Sequence, residues 1–145
     1  MRLSLQTDYA LRTLIYLAGR PERATVTEIA EFFQISRDHV AKVVHRLAKL
    51  GMARSVRGVG GGVELGRDAA EISIGEVILA IEGNAHLLEC VERDKVCVIQ
   101  PGCRLRGVLA EAERLQMEYL ESVKLADVVT PGGGLAELAP LLTLK

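Results

Sequence analysis

Two capped helical stretches in tandem over residues 25–50, a glycine-rich alternating stretch at 54–65 and a long amphipathic stripe from Leu105 onward predict the fold class of this 145-residue chain. The class is mainly α, a winged helix-turn-helix with a β-hairpin wing and a long C-terminal dimerisation helix. Residues 1–70 are expected to form the winged helix-turn-helix, 71–130 a cysteine loop with the dimerisation helix, and 131–145 a tail. Hydrophobic content of 49% with 26% charged residues fits a single domain, or a small domain with an arm, and excludes wholesale disorder. Asp8 and Arg12 interrupt the first apolar residues, so they do not read as a signal peptide. The longest clean apolar run, Val77 to Ile81, is too short to span a bilayer. The expectation is a cytoplasmic protein whose thiols stay reduced.

The first helix starts at a Ser4 cap and runs to about Ala18, with Leu11, Leu14, Ile15 and Ala18 on its apolar arc. Gly19 and Pro21 stop it. Thr25-Val26-Thr27-Glu28 fits a capping box, opening a helix that buries Ile29, Ala30 and Phe33. The turn Gln34-Ile35-Ser36 leads to a second cap at Ser36 and a helix reaching Leu50, ended by Gly51. On a wheel of about 100° per residue, Val40, Val43, Val44, Leu47 and Leu50 share one side of that helix. Asp38, His39, Lys42, His45, Arg46 and Lys49 occupy the other. One packing face opposite one basic face is what a recognition helix in a major groove requires.

Arg54 to Leu65 alternates around Gly60-Gly61-Gly62 and reads as the wing. Glycines let the backbone approach phosphate closely, while Arg54 and Arg57 can place guanidinium groups on the backbone or in a narrow minor groove. No Lys-Ser/Thr follows the glycines, so a nucleotide-binding P-loop is disfavoured. Only 3% aromatics and no Trp disfavour a base-stacking single-strand binder. The net charge of −1 hides an asymmetry: residues 1–70 carry +4 and residues 71–145 carry −5. The expected partner is therefore double-stranded DNA, met by Ser36, Arg37, Asp38, His39, Lys42, Arg46, Lys49, Arg54, Arg57, Gly60 and Gly61.

Ser73-Ile74-Gly75-Glu76 fits another capping box, opening a helix to about Glu82. Cys90 to Cys103 includes Pro101-Gly102, lacks helical periodicity and is expected to be a loop. Beyond it Leu105, Val108, Ala112, Leu115, Tyr119 and Ser122 recur at intervals of 3 and 4, widened by Leu109, Leu120 and Val123. Such a stripe suits pairing with a second copy.

Cys90, Cys97 and Cys103 are the only cysteines. Three thiols cannot close into a disulfide set, but three thiolates plus one outside ligand can hold a metal or an iron–sulfur cluster. Gaps of six and five residues do not resemble paired zinc knuckles. On spacing alone an iron–sulfur centre, a zinc-stabilised DNA-binding dimer and metal-free cysteines all stay open. A thiol enzyme needs a base beside its thiolate, and no His-Asp or C-x-x-C arrangement stands near these cysteines.

Met1-Arg2-Leu3 with Thr7-Asp8-Tyr9-Ala10-Leu11-Arg12, the wing Arg57-Gly58-x-x-Gly61-Gly62, and the run from Cys97 to Leu105 together resemble the Rrf2 family, and within it the nitric-oxide-sensing repressors. The resemblance covers roughly residues 1–130. It implies a winged-helix homodimer on a palindromic operator, with one iron–sulfur cluster, 4Fe–4S or 2Fe–2S, per subunit and nitric oxide as signal. A 2Fe–2S redox or iron–sulfur-supply regulator of the same family is the alternative. Read from the residues, Asp8 makes an i,i+4 ion pair with Arg12. The resemblance instead implies that Asp8 is the fourth cluster ligand, reaching across from the partner subunit. His86, four residues before Cys90, is the fallback ligand; relatives that use a histidine place it after the last cysteine, where this chain has none.

Overall fold

The computed structural model describes residues 2–129. The expected tail, 131–145, lies outside the described residues. The first helix, α1 (Leu5–Ala18), is capped by the Ser4 hydroxyl, which accepts from the Thr7 amide. Its buried line is Thr7, Ala10, Thr13, Leu14 and Leu17. Leu11, Ile15 and Ala18 stand at the edge of the core instead, because α1 is covered on two sides and its buried arc turns toward Leu17. The second helix, α2 (Val26–Phe33), carries the full capping box: the Thr25 amide donates to Glu28, and the Thr25 hydroxyl accepts from the Glu28 amide. The backbone bond from Thr25 holds the Glu28 carboxyl below the usual carboxylate range.

The third helix, α3 (Arg37–Lys49), buries Val40, Val43, Val44 and Leu47. Two expectations fail here. Ser36 occupies the cap position, but its side chain makes no capping bond. Leu50 has left the helical wheel at the C-cap and is 38% exposed. The wing pairs β1 (Ala53–Val56) antiparallel with β2 (Gly62–Leu65), Arg54 opposite Glu64 and Ser55 opposite Val63. Ala24 adds a bridge to Val63, with two backbone bonds of 3.0 and 2.7 Å that anchor the wing to the α1–α2 connection.

The next helix, α4 (Ile74–Glu82), is capped by the Ser73 hydroxyl, but only half the expected box forms because the Glu76 carboxylate turns to Arg67. The cysteine segment is not wholly irregular. A single turn, α5 (Glu89–Glu92), holds Cys90, and a 3₁₀ turn spans Gln100–Gly102. Neither turn is long enough to leave a periodic trace in sequence. The arm, α6 (Arg104–Ser122), follows, and the chain then returns to the head through α7 (Leu125–Val128). Backbone bonds from Leu125 to Ile72 (2.8 Å) and from Ile74 to Val123 (2.9 Å) fasten that return. One apolar core joins Leu14, Ile29, Val40, Leu47, Met52 and Val63 to Ile72, Val77, Ile81 and Leu125.

Candidate DNA interface and cysteine loop

α3 presents Arg37, Asp38, His39, Lys42 and Lys49 exposed along one side, with Ser36 exposed just before them. Among the described residues Arg37, Lys42, Lys49 and the wing's Arg57 have no carboxylate partner, so their charge is available to phosphate. His39 is exposed, with its ring centroid 6.0 Å from that of Tyr9 on α1. Arg54 is engaged: its guanidinium binds Glu64 on the facing strand, and Arg23 binds the same carboxylate at 2.9 Å. These two arginines, Arg54 first, hold the Glu64 carboxyl below its ordinary range. Gly60 takes φ +73° at the exposed wing tip. A Cβ on Gly61 would collide with the carbonyl oxygens of Val56 and Gly58, so the tight tip admits only glycine there.

Arg46 departs from its neighbours. It is half-buried, and its guanidinium donates to the carbonyls of Ala80 (3.2 Å) and Ile81 (2.7 Å) and to Gln6 Oε1 (2.9 Å). It braces α3 against the carbonyl end of α4 instead of standing free with Lys42 and Lys49. The same end of α4 holds the start of α1: Glu82 accepts from the Ser4 amide at 2.8 Å and from the Thr7 hydroxyl. Those bonds, Thr7 first and Ser4 next, keep the Glu82 carboxyl below its usual range. No local sequence signal marks this node, because its partners lie 34–78 residues apart.

Cys90 and Cys103 are half-buried and Cys97 is exposed; all three thiols are free. No group of three or more His, Cys, Asp or Glu side chains among the described residues is gathered closely enough to hold a metal ion. The donor chemistry nevertheless suits an iron–sulfur group: three free thiols on one short segment. Asp8 is paired with Arg12 at 2.8 Å on the surface of α1. His86 gives its Nδ1 side to Glu113 of α6 at 3.0 Å, and Glu113 also accepts from the Leu87 amide at 2.5 Å. The segment leading to Cys90 is thereby pinned to the arm. Along α6, Leu105, Val108, Leu115 and Tyr119 are 53–69% exposed, and no described residue covers their stripe.

A basic helix-turn-helix and wing on a head that continues into a thiol loop and an arm define a DNA-binding transcriptional regulator, not an enzyme. The chain belongs to the Rrf2 family, whose model, described as an iron-dependent transcriptional regulator, matches residues 3–131. It is 43% identical over 132 residues to the HTH-type transcriptional regulator NsrR of Bacillus subtilis (strain 168), covering 89% of this chain and 90% of that protein. It is 41% identical to the protein of the same name from Shouchella clausii (strain KSM-K16), covering 89% of each. Among solved structures, CymR, the global cysteine regulator of B. subtilis, shares the fold with TM-score 0.75 at 23% identity, over 90% of this chain and 97% of that one. T. potens IscR does so with TM-score 0.71 at 24% identity, over 89% and 86%. No described helix is long and apolar enough to cross a membrane.

Proposed function

We propose that the chain acts as a homodimeric repressor, holding operator DNA through α3 and the wing and releasing it in response to nitric oxide. Cys90, Cys97 and Cys103 hold one iron–sulfur cluster per subunit, and Asp8 of the partner subunit completes the ligand set. The observation that carries this reading is the setting of the thiols. Three free cysteines lie in one loop between a DNA-reading head and a 19-residue helix whose apolar stripe is uncovered. When bound, the cluster supplies iron that nitric oxide attacks, most readily where an oxygen ligand replaces a thiolate.

The protein's own residues supply the rest. Burying the α6 stripe against the same stripe of a second copy sets two heads side by side, as a palindromic operator requires. Freeing Asp8 from Arg12 costs only a surface ion pair, worth a few tenths of a kcal/mol, so that pair does not oppose ligation. A pull on Asp8 acts on the start of α1, which Ser4 and Thr7 tie to Glu82 at the end of α4. Arg46 ties that same end to α3. Cluster state and recognition helix thus share one brace.

Anaerobic purification with absorbance, iron and sulfide analysis, followed by gel shift on selected operator duplex before and after nitric oxide, tests the reading. Iron and acid-labile sulfide with nitric-oxide-sensitive binding are expected. Zinc with constitutive binding would replace it by a zinc-stabilised dimer. A cluster that answers oxidants but not nitric oxide would replace it by a redox or iron–sulfur-supply regulator.

A further inference from the structure

Gln100 is the one buried residue between Leu88 and Cys103, at 8% exposure. Its side-chain amide is spent entirely on the main chain of its own loop. Nε2 donates to the carbonyls of Cys90 (3.0 Å) and Arg93 (2.6 Å), while Oε1 accepts from the Val96 amide (3.1 Å). Its backbone completes the pattern: the Gln100 amide donates to the Cys97 carbonyl (3.1 Å), and the Gln100 carbonyl accepts from the Cys103 amide (3.2 Å). One residue therefore bonds directly to the backbone of all three cysteines. A buried amide with both donors and its acceptor satisfied is costly to disturb, because each lost partner leaves a desolvated polar group behind.

We infer that Gln100 is the positioning residue of the thiol loop, setting the Cys90, Cys97 and Cys103 backbones in one frame so that their thiolates can close on a cluster and keep it. This rests on the reading of those cysteines as cluster ligands. The amide does not reach a thiol; it fixes the backbones from which the thiols are carried, while the side chains remain free to turn inward. Loop order thus exists before loading, and the entropy of gathering three ligands from an open 14-residue segment is partly removed in advance.

The test uses the full-length protein with Gln100→Met, which keeps length and volume but makes no hydrogen bond, and Gln100→Glu, which retains the acceptor for Val96 and loses both donors. In metal-free protein, the alkylation rate of each cysteine and amide hydrogen exchange over 90–103 are measured. Losing two or three net hydrogen bonds should raise local opening about tenfold or more. Cys90 alkylation and loop exchange should rise by that factor in Gln100→Met and by more in Gln100→Glu, whose buried carboxylate would face the Cys90 and Arg93 carbonyl oxygens with no proton to give them. Exchange in α1–α4 and the melting temperature should stay at wild-type values. Reconstituted protein should lose iron to a chelator about tenfold faster in the same order of variants.

Wild-type alkylation and exchange in both variants would overturn the inference, as would a uniform rise across the whole chain. Should Gln100→Glu fail to fold, Gln100→Met alone decides, since it must still separate loop from head. Failure of wild-type protein to take up iron and sulfide would remove the cluster reading. The thiol and exchange measurements would then still report whether Gln100 orders the loop.

Discussion

Asp8 and Arg12 form a pair in the chain by itself, and two substitutions separate that pair's surface role from ligation. Arg12→Ala should change stability by a few tenths of a kcal/mol and leave cluster and operator binding intact. Asp8→Ala should leave three thiolates able to take up iron, with faster loss of the cluster and weaker operator binding; equal behaviour of the two variants by absorbance and gel shift would return Asp8 to a plain ion pair. Glu82 gives a pH signature. Its carboxyl is held below its ordinary value by Thr7 and Ser4. Its stabilising contribution is therefore complete above that value and drains away as pH falls through the depressed one. In Glu82→Gln that part of the acid limb of the melting temperature should flatten, while melting at pH 7 falls slightly. Neither Glu82 nor Gln100 was legible in the sequence. A lone polar residue carries no periodicity, and the partners that give it meaning sit across the fold or at irregular spacings in a loop.

Elements were far more legible, because caps and apolar periods are local. The Ser4 cap, the Thr25–Glu28 box, the packing face of α3 from Val40 to Leu47 and the glycine-tipped hairpin all stand where residue chemistry puts them. Two of the failures came from competition elsewhere in the fold: Glu76 left its box for Arg67, and Arg46 left the basic face for two α4 carbonyls. Arg46→Ala should accordingly destabilise the head by about 1–3 kcal/mol, since it abandons carbonyls and a packed stem, and its salt slope on DNA should match wild type. A free phosphate contact would instead lower the slope with stability unchanged. On the arm, Leu115→Asp should convert a dimer to monomers in sedimentation while leaving the far-UV spectrum of the head in place. Gly75 lets α4 lie directly on α6: a Cβ there would stand 2.8 Å from the Glu121 amide nitrogen. Gly75→Val is expected to cost about 1–3 kcal/mol and to loosen the arm's root.

For the molecule as a whole, charge is sorted along the chain, +4 in residues 1–70 and −5 beyond. Duplex binding that neutralises about six phosphates per dimer should give a log–log salt slope near −5, measured by anisotropy from low to moderate salt; a flat response would sink the assignment of Arg37, Lys42, Lys49 and Arg57 to the backbone. The path of the chain adds a constraint of another kind. Leu125 is fully buried in the head's core and bonded to Ile72, so the stretch from 83 to 122, thiol loop and arm, is an excursion that leaves the head after α4 and comes back to finish it. A fragment ending at residue 70 should melt without cooperativity, and Leu125→Ala should cost about 2–5 kcal/mol. During synthesis the consequence is one of timing. Domains fold as they emerge from the ribosome, yet this one lacks a plug for its interior until the thiol loop and arm have already been made. A growing chain therefore gains its grip on DNA only after the segment proposed to govern that grip exists.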